Sequence, residues 1–418
     1  MRVLADLHIH SRFSRACSDQ LNVPNLARWA KLKGINLLGT GDFTHPLWLR
    51  ELKERLSPLD NGLYEYGGTR FVLTSEIATV WSVERKVKRV HTCLCAPSIE
   101  VVEQINEELA KRGNLSNDGR PVLGMSAAEL VEIVMQVSPD CFVYPAHAWT
   151  PWFSVFGSMS GFDSIEDCYE DRTKDIFALE TGLSSDPRMN WRLSALDRYT
   201  LLSNSDSHSL QKIGREANVF ELDESFSYLD VINAIKLKDP KRFRMTVEFF
   251  PEEGKYHYDG HRACGVSMHP RESRKINNIC PVCRHVLTIG VLNRVEQLAD
   301  REEGVVPSGA LPYVKLVPLQ EIIVDTMGRG WPTRAVMGEY EKLIGAFGTE
   351  FDVLTGAPKD KLFELTDEKI AEGIMRVREG RVAIEPGYDG VYGRISILGE
   401  KEKPARSAGA QSSLSEFV

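Results

Sequence analysis

The sequence predicts an α/β fold in which a β/α barrel is followed by a small zinc-binding module and a C-terminal helical domain. Two observations carry that expectation. Apolar, strand-like runs near residues 35–39, 71–76, 90–95, 141–145, 176–180 and 200–204 mostly alternate with helix-like periods, a pattern that requires a parallel sheet or barrel. Histidines and acidic residues fall at or just past the ends of several of those runs, and in a β/α barrel the strand ends make one face, where the chemistry sits.

Taken in order, the opening segment Met1–His10 is a short apolar strand that ends in His8-x-His10. Asp42 follows the second run, Glu76 closes the third, His147 follows the run at 141–145, and Asp206-x-His208 follows the last. Asp19, His45 and His91 are interleaved with them, so six of the ten histidines belong to one acidic constellation. A single histidine is more often a satisfied core or surface residue, but a His-x-His and an Asp-x-His on separate strands, with carboxylates between them, is a metal-ligand pattern. Mixed imidazole and carboxylate donors suit Zn, Mn or Fe, and this many donors imply two or three ions. Adjacent divalent ions generate hydroxide and stabilise the attacking and leaving oxygens of a displacement at phosphorus, so phosphoester hydrolysis is the natural reading. The residues expected to carry it are His8, His10, Glu76, His91, His147, Asp206 and His208, with Asp19, Asp42 and His45 as further candidate ligands.

His8-x-His10, Ser18-Asp19, Gly41-Asp42, Glu76, His91, His147 and Asp206-x-His208 together resemble the PHP phosphoesterase domain. The resemblance implies a distorted seven-stranded β/α barrel with a trinuclear centre of Zn, Mg or Mn over residues 1–245. The sequence departs from the family at one point. An adjacent Asp-His pair usually follows the second strand, whereas here Phe43 follows Asp42 and the nearest imidazole is His45, so either Asp42 or His45 serves as the ligand.

At 418 residues, with 42% hydrophobic and 26% charged residues, the chain can bury a large core and exceeds one ordinary domain. No run approaches about 18 apolar residues and no cleavable leader pattern opens the chain, so a cytoplasmic protein without a membrane partner is expected. The eight cysteines do not space like a secreted disulfide framework. His261-Arg-Ala-Cys264 and Cys280-Pro-Val-Cys283 instead have the paired spacing of one tetrahedral structural zinc, with His257, His269 and His285 as possible substitutes for His261. This module is placed at 246–300.

Residues 301–395 are expected to form the helical domain, as in Glu339–Phe347 and Leu362–Ile370. It closes with the glycine-rich Gly387-Tyr-Asp-Gly-Val-Tyr-Gly393, read as tight turns and close backbone approach. The stretch 396–418 is expected to be a disordered tail. Its Gln411, Leu414 and Phe417 resemble the peptide that docks DNA-processing enzymes onto PCNA-like sliding clamps.

This order of parts resembles a DNA repair endonuclease of the PHP group. That resemblance implies nicking 5′ of deaminated bases (uracil, hypoxanthine, xanthine) and of abasic sites, leaving a 3′-hydroxyl. Damaged DNA is then the partner. A net charge of −8 argues against a nonspecific polyanion binder, but Arg85, Lys86 and Lys88 form a basic run leading to His91. Reading a base requires taking it out of the stack into an aromatic pocket, and Trp149, Trp152 and Phe153, just after His147, are the candidate surface. Two alternatives are a small-molecule phosphomonoesterase of the histidinol phosphatase kind and a non-catalytic, clamp-bound DNA scaffold. Release of phosphate from small esters would mark the first, and DNA binding without nicking the second.

Overall fold

Val3, Leu4 and Ala5 are buried on both faces, as expected of a strand covered on both sides in an α/β protein. In the computed structural model, which describes residues 1–399, this strand (β1, Arg2–Asp6) begins a seven-stranded wall. The others are β2 (Leu37–Gly39), β3 (Thr69–Val83), β4 (Lys86–Ala96), β5 (Phe142–Pro145), β6 (Ala178–Glu180) and β7 (Thr200–Leu202). They coincide with the apolar runs, which were legible because strands buried on both faces read as uninterrupted hydrophobic stretches.

β1–β2 and β2–β3 pair parallel, β4 runs antiparallel to both β3 and β5, and β6–β7 is parallel again. β5 passes to β6 through Ala148 N–H donating to Glu180 O at 2.9 Å. A parallel bridge between Ile9 and Ser207 closes the wall at the end where the candidate ligands lie. The reversal at β4 distorts the barrel, and its cause is local. β3 and β4 form a long hairpin joined by Glu84 and Arg85, both at positive φ (49° and 68°), the twist a two-residue hairpin loop needs.

Helices cover the wall. α1 (Val23–Lys33) starts with the Asn22 side chain accepting from Asn25 N–H and stops at Gly34, φ 86°. Its buried Val23, Leu26, Ala27 and Ala30 recur at helical spacing. α2 (Pro46–Arg55), α3 (Ile99–Ala110) and α4 (Ala127–Val137) follow, the last opened by a Ser126–Glu129 capping box. No helix among the described residues is long and apolar enough to cross a membrane.

Beyond β7 the sheet continues with β8 (Ala217–Glu221), antiparallel to β1, β9 (Phe243–Glu248), antiparallel to β8, and β10 (Tyr313–Lys315), parallel to β9. The cysteine-bearing segment therefore lies between two adjacent strands of the main sheet. Helices then occupy 319–378, anchored to the barrel by a buried Lys33–Glu350 ion pair at 2.8 Å. A short hairpin, Ala383–Glu385 with Arg394–Ser396, follows. The glycines at its tip make the expected close approach: Gly387 N–H donates to Glu252 O (2.8 Å) and Gly393 N–H to Glu253 O (3.0 Å). Gln411, Leu414 and Phe417 lie outside the described residues.

Candidate metal centre

Strand ends bring the expected residues to one mouth of the barrel. His8 and His10 follow β1; Glu76 and His91 lie on facing strands of the β3–β4 hairpin; His147 follows β5; Asp206 and His208 follow β7. The loop carrying Asp206 is tied down from below, where the buried Asp6 carboxylate accepts from Ser205 N–H (3.0 Å), Ser205 O–H (2.6 Å) and Gly214 N–H (2.9 Å). Asp42, His147 and Asp206 all sit at positive φ (49°, 29°, 45°). Such conformations cost on the order of 1–3 kcal/mol each and concentrate at functional sites.

Glu76 is the hub. One carboxylate oxygen lies 2.6 Å from His91 Nδ1 and 2.9 Å from His147 Nε2. The other accepts from Arg120 Nη1 at 3.0 Å and faces His10 Nε2 at 3.3 Å and His8 Nε2 at 3.6 Å. Asp206 completes that side, 3.0 Å from His10 Nε2 and 3.8 Å from His8 Nε2. Two donor groups, His8/His10/Glu76/Asp206 and Glu76/His91/His147, thus share one carboxylate. Burial pushes the Glu76 acid up, but its contacts with the surrounding imidazoles and the Arg120 guanidinium outweigh it and hold the carboxylate well below its ordinary range. Burial lowers the His91 imidazole to about 4 against the pull of Glu76, which keeps it neutral, the form that ligates metal. The set fits divalent cations: buried His8 Nε2 has no hydrogen-bond partner, and His91 Nδ1 and His147 Nε2 face each other at 3.1 Å.

A surrounding layer aims these rings. Glu180 Oε2 lies 3.0 Å from His8 Nδ1 and Asp42 Oδ1 3.0 Å from His10 Nδ1, so the Nε2 atoms point into the site. Asp42 is not brought into a donor group, since Ser11 N–H, Ser11 O–H and Ser14 O–H already saturate its second oxygen. His45 turns away, stacking on Phe13 with Nε2 on Ser116 O, and Asp19 is exposed. His208 packs its ring 4.5 Å from that of His10 at the rim. Three residues of the centre escaped the sequence reading. Glu180 closes β6 as Glu76 closes an apolar run, so the strand-end rule could have found it. Cys93, which joins His8 and Glu180 in a third buried group, and Arg120 gave no comparable signal.

A second cluster lies in the inserted segment. His261, Cys264, Cys280 and Cys283 offer four donor atoms within 4.8 Å of one another. The alternatives are placed elsewhere: His257 is buried, His269 caps Arg271 N–H, and the His285 ring is 6.3 Å from that of His261. Four such donors suit a tetrahedral zinc with every position taken by protein, the donor set of a structural site.

Of the residues expected to meet DNA, Arg85 and Lys86 are exposed at the β3–β4 tip, while Lys88 lies over Phe162 at 4.1 Å and donates to Gly161 O. Trp149 is instead a core residue, 1% exposed, stacked on Phe156 with its indole N–H on Asn190. Trp152 is 38% exposed. Phe153 packs 4.6 Å from the His91 ring.

The C-terminal domain family of MJ0043 matches residues 318–381. In three dimensions the chain is similar to PfuEndoQ of Pyrococcus furiosus, a lesion-specific endonuclease, with TM-score 0.85 and 34% identity over 96% of this chain and 98% of that one. Endonuclease Q in complex with a 27-mer duplex bearing an abasic lesion at the active site matches with TM-score 0.83 and 34% identity, covering 96% and 99%. Uncharacterised protein YqxK of Bacillus subtilis is 31% identical over 410 residues, 94% of this chain and 99% of that protein. Uncharacterised protein MJ0043 of Methanocaldococcus jannaschii is 37% identical over 259 residues, and the match spans only 32% of its length.

Proposed function

The chain belongs to the endonuclease Q family, and from that premise we propose that it is a metal-dependent DNA repair endonuclease. In this reading it hydrolyses the phosphodiester 5′ of abasic sites and of deaminated bases such as uracil, hypoxanthine and xanthine, leaving a 3′-hydroxyl. The observation that carries it is the pair of donor groups sharing Glu76 at the barrel mouth. Two groups with a common carboxylate suit two adjacent ions, and Cys93 with Glu180 and His8 forms a third buried cluster. When bound, such ions supply hydroxide at neutral pH and stabilise the oxygens of a phosphoryl displacement.

The chain's own residues do the rest. His8, His10, Glu76 and Asp206 would hold one ion and Glu76, His91 and His147 another, and His208 stands at the rim. Glu180 and Asp42 fix the tautomer of His8 and His10 from behind. Arg120, anchored on Glu76 and partly exposed, sets a cation complementary to phosphate beside the centre. Trp152 and Phe153 are the candidate contacts for an everted nucleotide, and Arg85 and Lys86 for the backbone. His261, Cys264, Cys280 and Cys283 would hold a zinc that organises the inserted module. Gln411, Leu414 and Phe417 are the proposed ligand for a sliding clamp.

The test is incubation with Mn²⁺ or Mg²⁺ and end-labelled duplexes carrying one abasic site, one uracil or no lesion, with products mapped on a sequencing gel. A single nick 5′ of each lesion and an intact control are expected. Equal cleavage of the undamaged duplex, or none of any duplex, would overturn the reading.

A further inference from the structure

Between the metal centre and the cysteine cluster the fold sets a run of aromatic rings, of which Trp152 and Tyr392 are exposed and Phe153 and Tyr256 half-buried. Phe153, held at φ 58° with its carbonyl accepting from His91 N–H at 3.0 Å, packs on His91. The next ring outward, Trp152, meets Tyr256 edge-on at 5.5 Å. Lys255 Nζ then lies over both Tyr256 (5.9 Å) and Tyr392 (5.5 Å), and Tyr392 is 70% exposed. Arg262 closes the far end, its guanidinium beside the open edge of Gly390.

These residues come from three distant segments, and the backbone under them is fixed. Gly390 N–H donates to Lys255 O (2.8 Å) and Tyr258 N–H to Gly387 O (2.9 Å). A side chain at Gly387 would collide with Gly254 O, and one at Gly393 with Glu252 O. Rings that merely glued the segments together would be buried, since burial is what makes an aromatic side chain stabilising. Here the backbone is tied by its own hydrogen bonds, and Trp152 and Tyr392 stay exposed. The positive charge beside the rings comes from Lys255 and Arg262, in a chain of net charge −8; of the neighbouring carboxylates, Asp259 is buried and Asp389 is engaged by Arg262 N–H and Thr288 O–H. Open aromatic faces interleaved with cations are how proteins hold unpaired nucleic acid, each base stacking and the backbone following the charge.

We propose that Trp152, Tyr256 and Tyr392, with Lys255 and Arg262, form a stacking track for single-stranded DNA leading away from the metal centre. Its occupant is the unpaired stretch of the strand opened at a lesion, so the role in cleavage rests on the endonuclease reading, whereas the binding surface does not.

The full-length protein is titrated by fluorescence anisotropy with a labelled oligothymidine and, separately, with an undamaged duplex. Wild type is expected to bind the oligothymidine. Tyr392→Ala and Trp152→Ala are each expected to weaken it about tenfold, while Tyr392→Phe retains binding because the ring remains. Hydrolysis of bis(p-nitrophenyl) phosphate with Mn²⁺ stays unchanged in Tyr392→Ala and Tyr392→Phe. On lesion duplex the alanine variants are expected to raise KM with little change in kcat. Wild-type affinity in both alanine variants, or no oligothymidine binding by wild type, overturns the track. If wild type nicks no lesion but binds the oligothymidine through these rings, the endonuclease reading alone fails.

Discussion

Glu180 lies 3.0 Å from His8 Nδ1 with both side chains buried, and this one contact decides which imidazole nitrogen of His8 faces the metal centre. Glu180 also accepts from His147 N–H and from Asn204 Nδ2, so it ties together the loops after β1, β5 and β7. Glu180→Gln keeps the shape and removes the charge. It is expected to weaken Mn²⁺ affinity about 10–100-fold, with activity recovered at high metal concentration. Isothermal titration and activity measured against metal concentration check this; wild-type affinity would contradict it.

The cysteine cluster is expected to hold one zinc per chain. Cys283→Ser should lower the zinc content by one and the thermal midpoint by several degrees, because the binding free energy of such a site is folding free energy. Elemental analysis and calorimetry on the same preparations check both, and an unchanged zinc content would contradict the assignment.

Burial raises the Glu248 carboxyl from 4.5 to about 8, against hydrogen bonds from Thr246 and Thr181. The folded chain therefore keeps a proton that the unfolded chain releases above its ordinary carboxylate pKa. Stability is full below that pKa and falls as pH rises towards about 8. Glu248→Gln removes this loss, so its unfolding free energy relative to wild type should rise by on the order of 2–4 kcal/mol between pH 5 and pH 8. Urea unfolding at the two pH values measures it, and parallel profiles would contradict it.

Lys33 and Glu350 form a buried ion pair, their side chains 2% and 6% exposed. Lys33→Met strands a buried carboxylate that Tyr340 O–H and Leu319 N–H also contact, and should cost about 3 kcal/mol. Adding Glu350→Gln should restore part of that loss. Urea unfolding of the single and double variants checks both steps.

The strands and most of the donor set were legible because each lies where an apolar run meets a His or a carboxylate. What escaped has local causes. The hairpin at Glu84–Arg85 carries none of the Asn-Gly signal that usually marks such a turn. Trp149 follows His147 by two residues, but the backbone turns sharply at His147 (φ 29°) and the indole ends in the core. Asp42 sits at the right strand end, yet three hydroxyl and amide hydrogens on one oxygen and His10 on the other leave it a positioning group. Arg120 reaches Glu76 from a loop 44 residues away, a contact no local pattern encodes.

The central claim is that Glu76, shared by both donor groups, makes the nick possible. Wild type and Glu76→Gln should be compared by single-turnover cleavage of a duplex bearing one abasic site, with bound metal quantified in each. The account predicts one cut 5′ of the lesion by wild type, a loss of at least about 10³-fold in the variant, and less metal bound in both groups. Undiminished cleavage by Glu76→Gln would contradict it.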